Sequence, residues 1–212
     1  MSQVEDHGLQ LRARPSQARS VATFNLILDT TGLLLDAGGF DAVTTNLIAE
    51  EAGITVRAIY RYFPNKHAIV VELARRMASQ WSDAVGTLGS LAEPAEPWRD
   101  LWCSYVDTFL AAVRQTPGGP AVLLAMRSDP ILRRVDDDAN REYVNQIADA
   151  IRARSSRVDA REARRVATVL MASTVAIVDE ALMNGSAESP KLIELMTTMQ
   201  LGFLERYLDD PR

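Results

Sequence analysis

Apolar positions along this chain recur at intervals of three and four, never in strict alternation, which predicts helices throughout and no sheet. Phe24, Ile27, Leu28, Leu34 and Leu35 share one helical stripe behind a start at Pro15-Ser16. Ala37-Gly38-Gly39 is expected to stop that helix, because glycine readily takes the left-handed conformation needed after a C-cap. Two short helices, about 45–52 and 55–62, precede a break at Pro64-Asn65. A longer helix follows from about Lys66 to Leu88, with Ile69, Leu73, Met77, Trp81 and Val85 spaced by four, and a loop marked by Pro94 and Pro97 closes this half. Beyond it the pattern predicts Trp98 to Arg114, a short helix at about 120–127 after the break Pro117-Gly118-Gly119-Pro120, and a helix from Ser128-Asp129-Pro130 to about Arg154. Two last helices, about 159–184 and 188–208, are divided by Asn184-Gly185-Ser186. The expected fold class is all-α, with about nine helices.

The last pair stands out. Val166, Val169, Leu170, Met171, Val175, Ile177, Val178 and Leu182 leave little of the first helix polar, and such a helix needs partners on two sides. The second presents Leu192, Leu195, Met196, Met199, Phe203 and Tyr207. Together they predict a four-helix bundle shared by two copies of the chain, a homodimer.

Composition changes this picture only in places. At 212 residues and 47% hydrophobic content the chain can bury a sizeable core. Its single cysteine, Cys103, excludes an internal disulfide and reads as a small apolar helix residue. The longest apolar runs fall short of the roughly 18 residues a membrane span needs. The polar stretch Met1 to Pro15 lacks the apolar region of a secretory signal, so the expected compartment is the cytoplasm. A net charge of −5 argues against coating nucleic acid by bulk charge, but a local basic cluster would still suffice for a specific site.

Such a cluster lies in the most informative stretch, Thr44 to Phe63. Thr44 or Thr45 can cap a first short helix, in which Ile48 and Ala52 face inward and Ala49 is small enough for a second helix to cross closely. Gly53 supplies the positive φ of a tight turn, Ile54 plugs the core beneath it, and Thr55 caps the second helix. Ile59 and Tyr62 or Phe63 point back inward, leaving Val56, Arg57, Ala58, Tyr60 and Arg61 outward. From Ile54 to Lys66 the charged residues are Arg57, Arg61 and Lys66. This is the layout of a helix-turn-helix whose second helix enters the major groove of DNA, its positive amino end suited to phosphate oxygens.

The run through Gly39-Phe40, Thr44-Thr45, Ile48-Ala49, Ala52-Gly53-Ile54, Ile59-Tyr60, Tyr62-Phe63 and Pro64-Asn65-Lys66 resembles the DNA-binding domain of TetR-family repressors. The resemblance implies a homodimer, a three-helix DNA-binding domain over residues 1–67, and a larger ligand-sensing and dimerisation domain over residues 68–212. It further implies a repressor released from a palindromic operator by a small molecule, cytoplasmic and without catalysis. Carried over residue by residue, Thr45 and Asn46 would touch phosphate or a base edge, and Val56, Arg57 and Ala58 would face the major groove. Arg57 would pair bidentately with guanine. Tyr60 and Tyr62 would offer hydroxyls to phosphates, with Arg61 and Lys66 as further phosphate contacts. The family often has a small residue where Arg57 stands, so sequence preference is expected to differ. Met1 to Arg14 reads as a loose arm, and Arg12, Arg14 and Arg19 are alternative minor-groove contacts or bystanders.

In the second half, Trp102, Tyr105, Phe109, Met126, Met171 and Thr174 are candidates to line a largely apolar effector pocket, or else plain core. Asp136-Asp137-Asp138 reads as a solvated helix face, because adjacent carboxylates on a helix point apart; no metal or other cofactor is expected. The two histidines, His7 and His67, form no nucleophile–base pair, and no catalytic motif is present, so an enzyme is not expected. The competing reading is a helix-turn-helix-fold interaction module, or a ligand-binding protein, that does not bind DNA.

Overall fold

The computed structural model describes residues 8–90, 93, 97–184 and 189–209, with backbone alone for residues 80–90 and 182–184. The Pro94–Pro97 loop (apart from Pro97), His7 and the Gly185-Ser186 break therefore lie outside the described residues. Among the described residues there are nine helices and no strand, as the periodicity predicts. They are α1 (Ala18–Ala42), α2 (Thr45–Glu51), α3 (Val56–Tyr60), α4 (Lys66–Ser90), α5 (Trp98–Gln115), α6 (Gly119–Ser128), α7 (Pro130–Arg154), α8 (Ala160–Asn184) and α9 (Ser189–Leu208).

The first helix runs further than the glycines suggest. Gly39 does leave helical geometry, with φ 72°, but the chain resumes a helical turn beyond it to Ala42. Beyond the kink, Phe40 is held by Lys66 across the fold (below).

Two compact units divide the chain. One comprises residues up to Gln80 together with Ala112–Asp136, so it takes in α6 and the first turns of α7 as well as the helix-turn-helix. Its core joins Phe24, Ile27, Leu28 and Leu35 of α1 to Ile48, Ile59, Phe63, Ile69 and Leu73, and to Val122 and Leu132. Each such side chain contributes about 1.5–3 kcal/mol by leaving water. Phe24 stacks on Phe63 at 4.8 Å and meets the edge of Tyr62 at 5.6 Å, so α1 is keyed to the end of α3 by aromatic contacts. Where α1 passes the turn before α6, the backbones touch. A Cβ on Gly32 would lie 2.1 Å from the Pro117 oxygen, and one on Gly118, whose φ is +64°, 2.0 Å from the Gly32 oxygen. Only glycine fits at either place.

The other unit comprises Trp81–Ala111 and residues from Asp137 onward. Trp102, Tyr105 and Val106 of α5, Ile147 and Ile151 of α7, Val166 and Leu170 of α8, and Met196 and Leu204 of α9 are buried in it. Its chain end is clasped to the start of α5, where Trp98 Nε1 donates to Asp209 at 2.7 Å and Arg99 pairs with the same carboxylate at 2.6 Å. No helix of the described residues is long and apolar enough to cross a membrane.

Candidate nucleic-acid interface

Three local devices build the α2–turn–α3 unit. The Thr44 hydroxyl accepts from the backbone N–H of Leu47 at 3.1 Å, and the Thr55 hydroxyl from that of Ala58 at 3.3 Å, so each short helix has its N-cap. Between them Gly53 sits at φ +63°. Ile48 and Ile59 are fully buried and Ala49 nearly so, while Ala52 is only half-buried; the close crossing is made at Ala49. Ile54 packs against the core under the turn.

The candidate contact residues then separate into groups. Arg57, Arg61 and Asn46 are exposed, Ala58 and Thr45 half-buried. Tyr60 is 39% exposed and its hydroxyl lies 3.3 Å from Thr45 Oγ1, tying the end of α3 to the start of α2. Val56, expected to face outward, leans onto the core. Tyr62 is buried against Phe24, with the Arg61 guanidinium 5.5 Å above its ring. Lys66 turns inward. Its ammonium donates to the carbonyls of Phe40 at 3.0 Å and Val43 at 3.1 Å and lies 4.2 Å from the Phe40 ring centre. Two of its three donors are thereby committed to the end of α1.

The described part of the N-terminal arm is not loose. Leu9 and Leu11 pack on the core, Asn65 Nδ2 donates to the Gly8 carbonyl at 2.8 Å, and the Arg12 N–H donates to the Tyr62 carbonyl at 2.8 Å. The Arg12 guanidinium donates to the Tyr60 carbonyl at 3.0 Å, and Arg14 lies 3.8 Å from Glu72 of α4. Two leucines spaced by two are too short a signal to predict docking from sequence. The strap, α1 and α3 together wall an open cleft of about 720 Å³, lined by Arg12, Arg19, Arg57 and Arg61 among hydroxyls and aromatic rings, and, among the described residues, by no acidic side chain.

Comparison with known proteins matches this region and the rest of the chain. Residues 27–73 fit the family model of bacterial regulatory proteins of the tetR family, and residues 97–204 fit that of the Tetracyclin repressor-like C-terminal domain. The chain belongs to the TetR family. In the first region it is 48% identical over 50 residues to the HTH-type transcriptional repressor KstR of Rhodococcus jostii, a stretch covering 23% of this chain and 24% of that repressor. The match thus spans about a quarter of the curated relative. A TetR-family transcriptional regulator from Streptomyces coelicolor superposes with a TM-score of 0.63 at 25% identity, over 88% of this chain and 99% of that one. A complex of SmeT with triclosan shares the fold at 20% identity, with a TM-score of 0.67 over 89% of this chain and 93% of the other.

In this TetR-family regulator the residues expected to line an effector pocket are differently placed. Met126 belongs to the unit of the helix-turn-helix, where it is buried; the other five belong to the second unit. Trp102 and Thr174 are joined through Gln200 of α9, a residue the sequence reading overlooked. Trp102 Nε1 donates to Gln200 Oε1 at 3.0 Å, and Gln200 Nε2 donates to Thr174 Oγ1 at 2.9 Å and Ser173 Oγ at 3.0 Å. Its sequence signal is position: Met196, Gln200 and Leu204 follow at four-residue spacing on the buried face of α9. Tyr105 lies beside Trp102 at 5.5 Å between ring centres, and burial raises the pKa of its hydroxyl well above the usual phenol value. Phe109 and Met171 are half-buried. Asp136, Asp137 and Asp138 lie on α7; Asp136 is 3.8 Å from Arg127 and Asp138 pairs with Arg141. Among the described residues no three His, Cys, Asp or Glu side chains are grouped to hold a metal ion.

Proposed function

We propose that this regulator is a transcriptional repressor that binds a palindromic operator as a homodimer and is released by a small, largely apolar molecule. One observation supports the DNA reading above the others: a doubly capped α2–Gly53–α3 unit presents Arg57 on an exposed helix face beside three further arginines, with no acid among the described residues of the cleft they line. Thr45, Asn46, Ala58, Tyr60 and Arg61 surround Arg57 as further contacts, with Val56, Tyr62 and Lys66 supporting them from the core side. Arg57 reads guanine through its O6 and N7, a pairing that contributes about 1–3 kcal/mol of discrimination.

Residues 1–67 form the reading head and residues 68–212 sense the effector and dimerise. The dimer reading draws support from α8 and α9, where Val169 is 51%, Leu195 54% and Met199 53% exposed, a row of large apolar side chains one chain leaves in water. The effector site is assigned to the second domain around Tyr105, Phe109 and Met171. Its ligand binds better to a conformation with the two heads wrongly spaced, weakening operator affinity by about 1–3 kcal/mol. The protein acts by binding, not catalysis, and works in the cytoplasm.

Selection of duplexes from a random DNA pool tests this reading. Enrichment of a palindrome, with relaxed preference at one position per half-site in Arg57→Ala, is the expected result. No enrichment at low salt by folded, ligand-free protein would overturn it in favour of an interaction module.

A further inference from the structure

We propose that the arginine cleft between the N-terminal strap, the start of α1 and α3 is a seat for the sugar-phosphate backbone of duplex DNA, with Arg12 and Arg19 as its phosphate-binding residues. The inference rests on the operator reading above and extends it to a segment outside the helix-turn-helix.

The cleft gathers four guanidinium groups, with no acidic side chain among the described residues of its lining, in a chain whose net charge is −5. Arg12, Arg19, Arg57 and Arg61 are all exposed, so their charges face an anion from solvent and are not part of a core network. Thr55, whose hydroxyl accepts from the Ala58 N–H and keeps its own proton, adds a donor for phosphate oxygens. Shape decides between bases and backbone. Base edges are reached by a convex helix entering the groove; of the four arginines only Arg57 is proposed above for that role, which leaves Arg12 and Arg19, on the other walls, for the strand. A concave, arginine-walled trough instead accepts the ridge of one strand.

Arg12 is positioned for this in advance. Its backbone N–H is fixed to the Tyr62 carbonyl and its guanidinium to the Tyr60 carbonyl, 5.8 Å from the Tyr60 ring centre. The carbonyl uses one of the five donors of the guanidinium, and holding the side chain still reduces the ordering cost of a phosphate contact. Arg19 approaches from the first turn of α1, which is held separately by the mutual Gln17–Ser20 hydrogen bonds. A strand lying between them would be gripped from both walls, locking the recognition helix in register.

The test is the salt dependence of binding by the full-length protein to its selected duplex and to a scrambled duplex. Arg19→Gln removes one proposed phosphate contact without touching the anchors of the strap. The expected result is a slope of log affinity against log salt shallower by about 0.9 for each occupied cleft, hence about 1.8 for a dimer, with both duplexes weakened by the same factor. Arg12→Gln gives the same change in slope, and its thermal melt reports any loosening of the strap. Wild-type slope in both variants, with wild-type melts, would overturn the inference while leaving the operator reading intact. A wild-type protein that bound neither duplex would remove the operator reading and this inference with it.

Discussion

Trp102 Nε1 donates to Gln200 Oε1 at 3.0 Å in a site where Gln200 is fully buried. The same amide's nitrogen reaches the Leu170 carbonyl at 3.2 Å and the hydroxyls of Ser173 and Thr174, so one side chain satisfies polar groups of α5 and α8 from α9. A buried amide is tolerated only when it is paired; its removal strands the Trp102 N–H, while the Ser173 and Thr174 hydroxyls keep their bonds to the Leu170 carbonyl. Gln200→Leu is expected to destabilise the protein by about 2–3 kcal/mol, since it leaves a buried indole N–H unpaired. Urea denaturation measures this. Trp102→Phe in the same background should recover part of the loss, and full additivity of the two substitutions would refute the coupling.

The meeting of α1 with the Pro117-Gly118 turn gives a second expectation. Gly118→Ala forces a side chain into a left-handed backbone and to within 2.0 Å of a carbonyl oxygen. Overpacking against rigid backbone typically costs about 1–3 kcal/mol before the conformational strain is added. Thermal melting of Gly118→Ala and Gly32→Ala should show both variants strongly destabilised, and a wild-type melt for either would contradict the contact.

Lys66 separates a structural from a DNA-contacting role. Lys66→Met removes two charge-assisted hydrogen bonds to the end of α1 and a cation–π contact with Phe40. A stability loss of about 1–3 kcal/mol is expected, with the salt slope of DNA binding unchanged. A shallower slope at wild-type stability would instead identify Lys66 as a phosphate contact.

A pH dependence follows at the chain end. Hydrogen bonds from Arg99, and then from Trp98, hold the Asp209 carboxyl below the usual carboxylate range, outweighing its partial burial. A carboxylate lowered in this way stabilises the fold above its unfolded-state value, near pH 4, and the contribution disappears as pH falls through the lower folded value. Asp209→Asn is expected to cost less than about 1 kcal/mol near neutrality, because the pair is open to solvent. The gap from wild type should close as the solution is acidified below the ordinary carboxylate range. Melting curves from neutral to acid pH check the sign, and a gap that widens in acid would contradict it.

The sequence by itself determined the helices and the frame of the reading head. A 3.6-residue period, a threonine before each short helix and a glycine between them act within a few residues, so no distant partner was needed to place α2, Gly53 and α3. Arg57 and Arg61 were likewise legible as outward-facing, since their own helix fixes that direction. Other outcomes were left to tertiary structure. The strap docks because Arg12 meets Tyr60, 48 positions away, and Gln200 becomes a hub because Trp102 lies 98 positions before it. Lys66 and Tyr62 have the residue types of DNA contacts, yet the end of α1 holds Lys66 and the Phe24 ring holds Tyr62. A flexible or amphipathic side chain goes to whichever carbonyl, ring or phosphate lies within reach, and only the packing of distant segments decides which of these is near.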